Sequence, residues 1–363
     1  MEESLLSLTA SLLRHYGGET PHPSLPRLDA LLEKGFRNVA VLLFDGMGES
    51  VLREWLPADA FLRRHEAGTL SSVFPPTTVA ATTTLMTGLS PIEHGWLGWN
   101  LFFPEIGDVS VFSNTLARSG GKKAADYPVA ERLLPCASIF DKIRRASGGT
   151  ADPRYLSPYA GERVGSVGDI CRKVREICRE PGRHYLYAYW PEPDAMMHRK
   201  GARSPEIGEC LREIDRAAEE LCAGLSDTLV LITADHGLVD VRWAFLRDTP
   251  DAADCLLRPP SLEARALSFF VKPGRKEEFR EAFLRRFGGD FRLYTREEVF
   301  SRRLFGEGTP HPRTADFLGD FLAVAQGALS LDWEPPRGRP PFAAAHAGGT
   351  EEERRVPFVC IET

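Results

Sequence analysis

Asn38-Val-Ala-Val-Leu-Leu-Phe44 is an unbroken apolar run that stops at Asp45-Gly46-Met47-Gly48. A strand without polar alternation is one buried on both faces, as in a parallel sheet covered by helices. A carboxylate directly behind such a strand lies at the carboxyl edge of the sheet, where α/β proteins build their sites. Two further runs repeat the pattern. Tyr185-Leu-Tyr-Ala-Tyr-Trp190 passes through a Pro-bounded turn into Asp194-Ala-Met-Met-His198, and Thr228-Leu-Val-Leu-Ile-Thr233 passes into Ala234-Asp235-His236-Gly237.

Helical patterns separate these runs. Leu5, Leu6, Leu8, Leu12 and Leu13 predict a helix over 3–16, ended by Gly17-Gly18. A short helix is expected over 27–34, and further helices over 51–65, 138–147 and 167–180. Ser204-Pro205 opens a helix with Ser as N-cap and Pro at the first helical position, running to about residue 225. Residues 69–74, 267–272 and 356–361 read as strands, 275–287 as a basic amphipathic helix, and 313–327 as a helix. Residues 94–127, rich in Gly, Trp and Phe, read as a loop or small insertion folded over the site. The alternation predicts a single catalytic α/β domain over 1–363. Its expected form is three layers, α/β/α, around a mostly parallel sheet, with insertions near 95–130 and 240–340.

The 363 residues carry 43% hydrophobic content and a formal net charge of −6. That balance gives no electrostatic reason to expect a nucleic-acid polymer or an anionic membrane as partner. No run approaches the ~18 apolar residues of a membrane span. The N-terminal residues lack the basic and apolar regions of a signal peptide. The seven cysteines are scattered without a Cys-x-x-Cys pair, so neither a thiolate zinc site nor a disulfide framework is expected. Reduced thiols in the cytoplasm are the simplest expectation.

Residues 70–95 carry a different signal. Pro75-Pro76 stops a strand-like run, and five threonines fall between Thr77 and Thr84. A hydroxyl behind this stop sits where a helix begins, among free N–H groups and the positive end of the dipole, both of which favour an anion. One of these hydroxyls is therefore a candidate phosphoryl-accepting nucleophile. Asp45, Asp194, His198, Asp235, His236 and His346 are candidate metal ligands, each beside a strand end or turn. Mixed nitrogen and oxygen donors suit zinc or manganese.

These pieces resemble the alkaline phosphatase superfamily, and within it the type I phosphodiesterase/nucleotide pyrophosphatase family. The matching stretches are Leu-Leu-Phe-Asp-Gly (42–46), Phe-Pro-Pro-Thr-Thr (74–78), Thr-Gly-Leu-Ser-Pro-Ile-Glu-His-Gly (87–95), Glu-Pro-Asp-Ala-Met-Met-His (192–198), Thr-Ala-Asp-His-Gly (233–237) and His-Ala-Gly-Gly-Thr-Glu-Glu-Glu (346–353). The resemblance implies two divalent metal ions, zinc with manganese as the alternative. Asp194, His198 and His346 would hold one; Asp45, Asp235 and His236 would hold the other, with the nucleophile bridging toward it. It places the nucleophile on Thr78 and not on Thr77. The implied reaction is hydrolysis of a small phosphate ester, a diester or pyrophosphate, through a phospho-threonine intermediate. The alternatives are a phosphomonoesterase, phosphonate hydrolase or phosphomutase on the same scaffold, and a metal-binding protein without turnover.

Some positions stay open at this level. The resemblance implies an asparagine three residues after the nucleophile to hold a phosphoryl oxygen; here that position is Ala81, so the contact comes from Thr82, Asn100 or backbone, or is absent. The sulfatase pattern Cys-x-Pro-x-Arg is absent. His94 is read as structural rather than as a neighbour of the site, and Trp96 and Trp99 as packing rather than stacking on a substrate. Arg313 either contacts a phosphate or pairs with Asp316 or Asp320.

Overall fold

A computed structural model describes residues 3–363. The run Asn38–Phe44 is the central strand of a seven-stranded sheet, buried along its whole length. It pairs in parallel with Arg183–Trp190 on one side and Thr228–Thr233 on the other. Ala151–Ser157 and Glu162–Arg163 extend the first side in parallel. On the second side, Arg355–Glu362 is antiparallel to Thr228–Thr233 and carries Glu66–Ser71 at the edge. The sheet is mostly parallel, as the unalternated runs require.

Register brings the strand ends together. Phe44 lies opposite Trp190, and Leu43 opposite Thr233. The Asp45 N–H donates to Trp190 O at 2.9 Å, and the Asp194 N–H donates to Asp45 O at 2.9 Å. The turns behind the strands touch backbone to backbone. A Cβ on Gly48 would lie 2.5 Å from Gly237 Cα, and one on Gly237 would lie 2.1 Å from Glu352 O, so both positions require glycine.

Two groups of helices complete the three layers. Leu5–His15, Thr78–Thr87 and Ile139–Ala146 pack together, as do Val167–Arg179, Pro205–Ala223, Glu49–Trp55 and Phe61–Arg64. The helix expected over 51–65 is two helices. Leu56 is extended (φ −107°, ψ 127°) because it precedes Pro57, whose ring disfavours a helical residue before it.

Residues expected as two insertions meet in a second seven-stranded sheet. Its order is Phe291–Thr295, Phe321–Ala325, Ala266–Phe269, Ser261–Leu262, Asn100–Phe103, Gly107–Ser110 and Thr115–Leu116, with every pairing antiparallel. Within 94–127 the strands Asn100–Phe103, Gly107–Ser110 and Thr115–Leu116 join this sheet, and most of the remaining residues are turn and loop. The helix expected over 313–327 is corrected: only Thr314–Phe317 is helical, and Phe321–Ala325 is a strand. Gly319 ends the helix, its N–H donating to Ser268 Oγ at 2.8 Å. The short apolar run behind it fits a buried strand as well as a helix, and its two sheet neighbours decide.

One buried ion pair fastens the second sheet to the first. Arg265, between Ser261–Leu262 and Ala266–Phe269, binds Glu353 through Nε at 2.6 Å and Nη2 at 2.8 Å, with both side chains fully buried. Glu353 also accepts from Gly348 N at 2.7 Å and Thr350 Oγ1 at 2.7 Å, and its backbone carbonyl accepts from Gly237 N at 2.9 Å. Breaking such a pair leaves an uncompensated buried charge. Glu353→Ala is expected to cost about 3–5 kcal/mol of unfolding free energy in urea titration. Replacing Arg265 and Glu353 together by Met should cost clearly less. Equal losses would refute this account.

Candidate active site

The six predicted ligands converge at the carboxyl edge of the parallel sheet. Asp194 and His198 lie on one face of the short helix Asp194–Lys200, with His198 Nε2 3.3 Å from Asp194 Oδ1. His236 Nε2 lies 3.4 Å from Asp45 Oδ1 and 3.5 Å from Asp235 Oδ2. His346 comes in from the loop before the last strand and stacks on His236 with ring centroids 3.8 Å apart. The next residue, Ala347, has φ +84°, a conformation rarely adopted by residues with a Cβ.

Each imidazole is oriented by a backbone carbonyl. His198 Nδ1 faces Ala344 O at 2.8 Å, His236 Nδ1 faces Gly237 O at 3.1 Å, and His346 Nδ1 faces Pro76 O at 3.2 Å. A carbonyl only accepts, so each Nδ1 carries the proton and each Nε2 presents a lone pair to the centre. That is how ligand histidines are set for a metal. Burial keeps all three rings neutral: it lowers the pKa of His198 to about 4, that of His236 below its ordinary value, and that of His346 well below.

The carboxylates are crowded. Ligand atoms of Asp45, Asp235 and His236 lie within 4.8 Å of one another, and so do those of Asp194, His236 and His346. His236 therefore belongs to both groups, whereas the resemblance gave it to one. His198 approaches through Asp194. Asp45 Oδ1, Asp194 Oδ1 and Asp235 Oδ2 are buried without a hydrogen-bond partner. No Arg or Lys forms an ion pair with any of the three among the described residues. Burial, then repulsion from Asp235, pushes the carboxyls of Asp45 and Asp194 well above the usual range. Orphaned oxygens facing three neutral imidazoles fit divalent cations. Tyr189, not expected from sequence, donates its hydroxyl to Asp45 Oδ2. Nothing distinguished it from the other tyrosines of its strand.

The five threonine hydroxyls have separate fates. Thr78, first residue of the helix Thr78–Thr87, places Oγ1 3.1 Å from His236 Nε2 and 3.4 Å from Asp45 Oδ2. Thr77 donates instead to Glu263 Oε1 at 2.8 Å. Thr82 and Thr83 donate to helix carbonyls four residues back, and Thr84 pairs with His94 Nε2 at 3.2 Å. Buried His94 also accepts from Trp96 N at 3.0 Å, so both its nitrogens are occupied by structure. Trp96 donates to Leu134 O at 3.1 Å. Arg313 binds Glu105 through both terminal nitrogens, at 2.7 and 2.8 Å, and pairs with Asp316 at 2.7 Å.

A cavity of about 610 Å³ opens on Thr78, Asp194, His198 and His346. Asn100, the first residue of its strand, lines this cavity, as do Trp99 and Glu263. Thr82 spends its hydroxyl on Thr78 O, which leaves Asn100 as the polar side chain of the two candidates that faces the cavity.

The family description of type I phosphodiesterase/nucleotide pyrophosphatase matches residues 39–331. The chain belongs to this metal-dependent family of the alkaline phosphatase superfamily, whose members hydrolyse phosphate esters. Among solved structures it is similar to murine ectonucleotide pyrophosphatase/phosphodiesterase 5 in an inactive form with AMP, at 19% identity and TM-score 0.66, covering 89% of this chain and 87% of that one. The human counterpart gives the same figures. Phosphonoacetate hydrolase from Sinorhizobium meliloti, solved with phosphonoformate, is similar at 18% identity and TM-score 0.63, covering 90% of each chain. At these identities the likeness establishes the fold. No curated protein gives a significant sequence match.

The raised carboxyls set a sign for pH dependence. Without metal, Asp45 and Asp194 hold protons above the pH at which the unfolded chain has lost them, so metal-free stability falls as pH rises through that window. The lowered histidines act in the opposite direction, but only below about pH 6.5. A divalent ion displaces those protons and relieves the repulsion. The gain in Tm on adding zinc or manganese to chelator-stripped protein is therefore expected to be larger at pH 8 than at pH 6. A gain that shrank with pH would contradict the crowding.

Proposed function

We propose that this chain hydrolyses small phosphodiesters or pyrophosphates through a phospho-threonine on Thr78. The observation that carries this reading is the position of Thr78 Oγ1, at a helix start between the His236 imidazole and the Asp45 carboxylate. In this reading Asp194, His198 and His346 hold one divalent ion, and Asp45, Asp235, His236 and Thr78 the other. Zinc fits the three imidazoles, with manganese the alternative. Such ions supply Lewis acidity, which lowers the pKa of the threonine hydroxyl and offsets charge on the leaving oxygen.

The chain's own contribution is orientation. The fixed Nδ1–H bonds hold the imidazoles, and Tyr189 fixes one oxygen of Asp45. Thr78 Oγ1 attacks phosphorus in line, and the bond to the leaving oxygen breaks as the new one forms. Amides in the first turn of Thr78–Thr87 have no intrahelical acceptor and face the charge that builds on phosphorus. Asn100 serves as a donor to a non-bridging oxygen. Water then hydrolyses the phospho-threonine and restores the hydroxyl. No helix is long and apolar enough to cross a membrane among the described residues. All seven cysteines are free, which supports a reducing, cytoplasmic setting.

Thr78→Ala is expected to lower kcat on an aryl phosphodiester by at least about a thousandfold, as loss of a nucleophile does, while elemental analysis still finds bound metal. Thr77→Val, whose hydroxyl points to Glu263, should lose far less. The reverse ranking of the two variants would remove Thr78 from this role.

A further inference from the structure

Glu263 stands in the wall of the cavity that holds Thr78 and Asn100, and the reaction above makes no use of it. Its position is built from both sides of the site. Thr77 Oγ1 donates to its Oε1 at 2.8 Å, and the Trp99 N–H donates to the same oxygen at 2.7 Å. These two donors immediately precede Thr78 and Asn100 in the chain. Both of these bonds fall on Oε1, and no hydrogen bond or ion pair falls on Oε2 among the described residues. Burial raises the carboxyl to about 7, and no cation counteracts that.

The backbone beside it is strained. Leu262 has φ +75°, a conformation bulky L-residues rarely adopt. It is held by pairing with Asn100 and Leu267, and by Gly98, where a Cβ would meet Leu262 Cα at 3.1 Å. Strain of this kind persists where the surroundings over-determine a functional position.

Apart from the candidate ligand Asp194, the other acids near this wall are paired with arginines. Asp108 and Asp332 each meet Arg118 at 3.1 Å, and Glu334 pairs with Arg247 and Arg337. Arg339 lies exposed at the rim, 4.4 Å over the Phe342 ring. Glu263 pairs with no cation among the described residues, and Trp99, Trp243 and Phe342 add aromatic surface to the same cavity. An unpaired carboxylate among aromatic rings is the chemical complement of an ammonium group.

We propose that Glu263 is a specificity-determining residue that receives an alkylammonium group on one arm of the phosphodiester. The site thereby prefers diesters of amino alcohols to those with neutral arms. This rests on the reading of the chain as a phosphodiesterase acting through Thr78.

Two p-nitrophenyl phosphodiesters that differ only in the second arm, 2-aminoethyl against n-propyl, test it in the metal-loaded protein. The wild type should favour the 2-aminoethyl ester by about tenfold or more in kcat/KM, the scale of one hydrogen bond to a charged group. In Glu263→Gln the ratio should collapse toward one, whatever the absolute rates, and Glu263→Asp should retain part of it. Equal kcat/KM for the two esters in the wild type, or an unchanged ratio in Glu263→Gln, overturns the assignment. Turnover of neither ester instead sinks the phosphodiesterase reading beneath it. Should Glu263→Gln fail to fold, inhibition of the wild type decides. Propylammonium should compete with the n-propyl ester where n-propanol does not, and equal inhibition by the two overturns the proposal.

Discussion

Three aspartates buried within one sheet edge, with no Arg or Lys paired to them among the described residues, are the constraint on which the rest of this molecule turns. Asp45, Asp194 and Asp235 repel one another, and burial raises the cost of each charge. A fold arranged only for stability would place cations there or keep the acids apart. Here the surrounding groups are neutral imidazoles whose free nitrogens face the acids, and the hydroxyls of Tyr189 and Thr78 both reach Asp45. Such an arrangement stores repulsion that bound cations relieve.

Holding the repelling groups in place falls to parts of the chain remote from them in sequence. Parallel register aligns the strand ends, and glycines at 48 and 237 let the turns approach to backbone contact. The Arg265–Glu353 pair runs from the second sheet to the turn that carries His346, while the Glu353 carbonyl steadies the turn that carries His236. The antiparallel sheet thus both braces two histidine turns and supplies one wall of the cavity beside Thr78, through Asn100 and Glu263. The edge that carries Asp45, Asp194 and Asp235 and the wall that carries Asn100 and Glu263 come from two different sheets.

The central sheet was legible because its strands are buried on both faces, and the apolar runs ending in Asp45, Asp194 and Asp235 state this directly. The convergence of Asp45, Asp194 and Asp235 was legible for the same reason, since the carboxyl end of a parallel strand is a fixed place. Residues 313–327 were misread because a short apolar run has no period that separates helix from strand. The joining of 100–116 with 261–325 had no local signal, as pairing between distant strands leaves no mark in either segment.

The sequence by itself determined the α/β class, the six candidate ligands and the helix start that presents a hydroxyl. These depend on local patterns: apolar runs, prolines, and acids or histidines at strand ends. Tertiary structure decided which of five neighbouring threonines faces the ligands, that His236 stands between two groups of acids, and that Glu263 enters the cavity. Threonines 77 and 78 are equal in composition and adjacent in the chain. They point to different partners only because the helix start fixes their directions and the second sheet brings Glu263 to one of them.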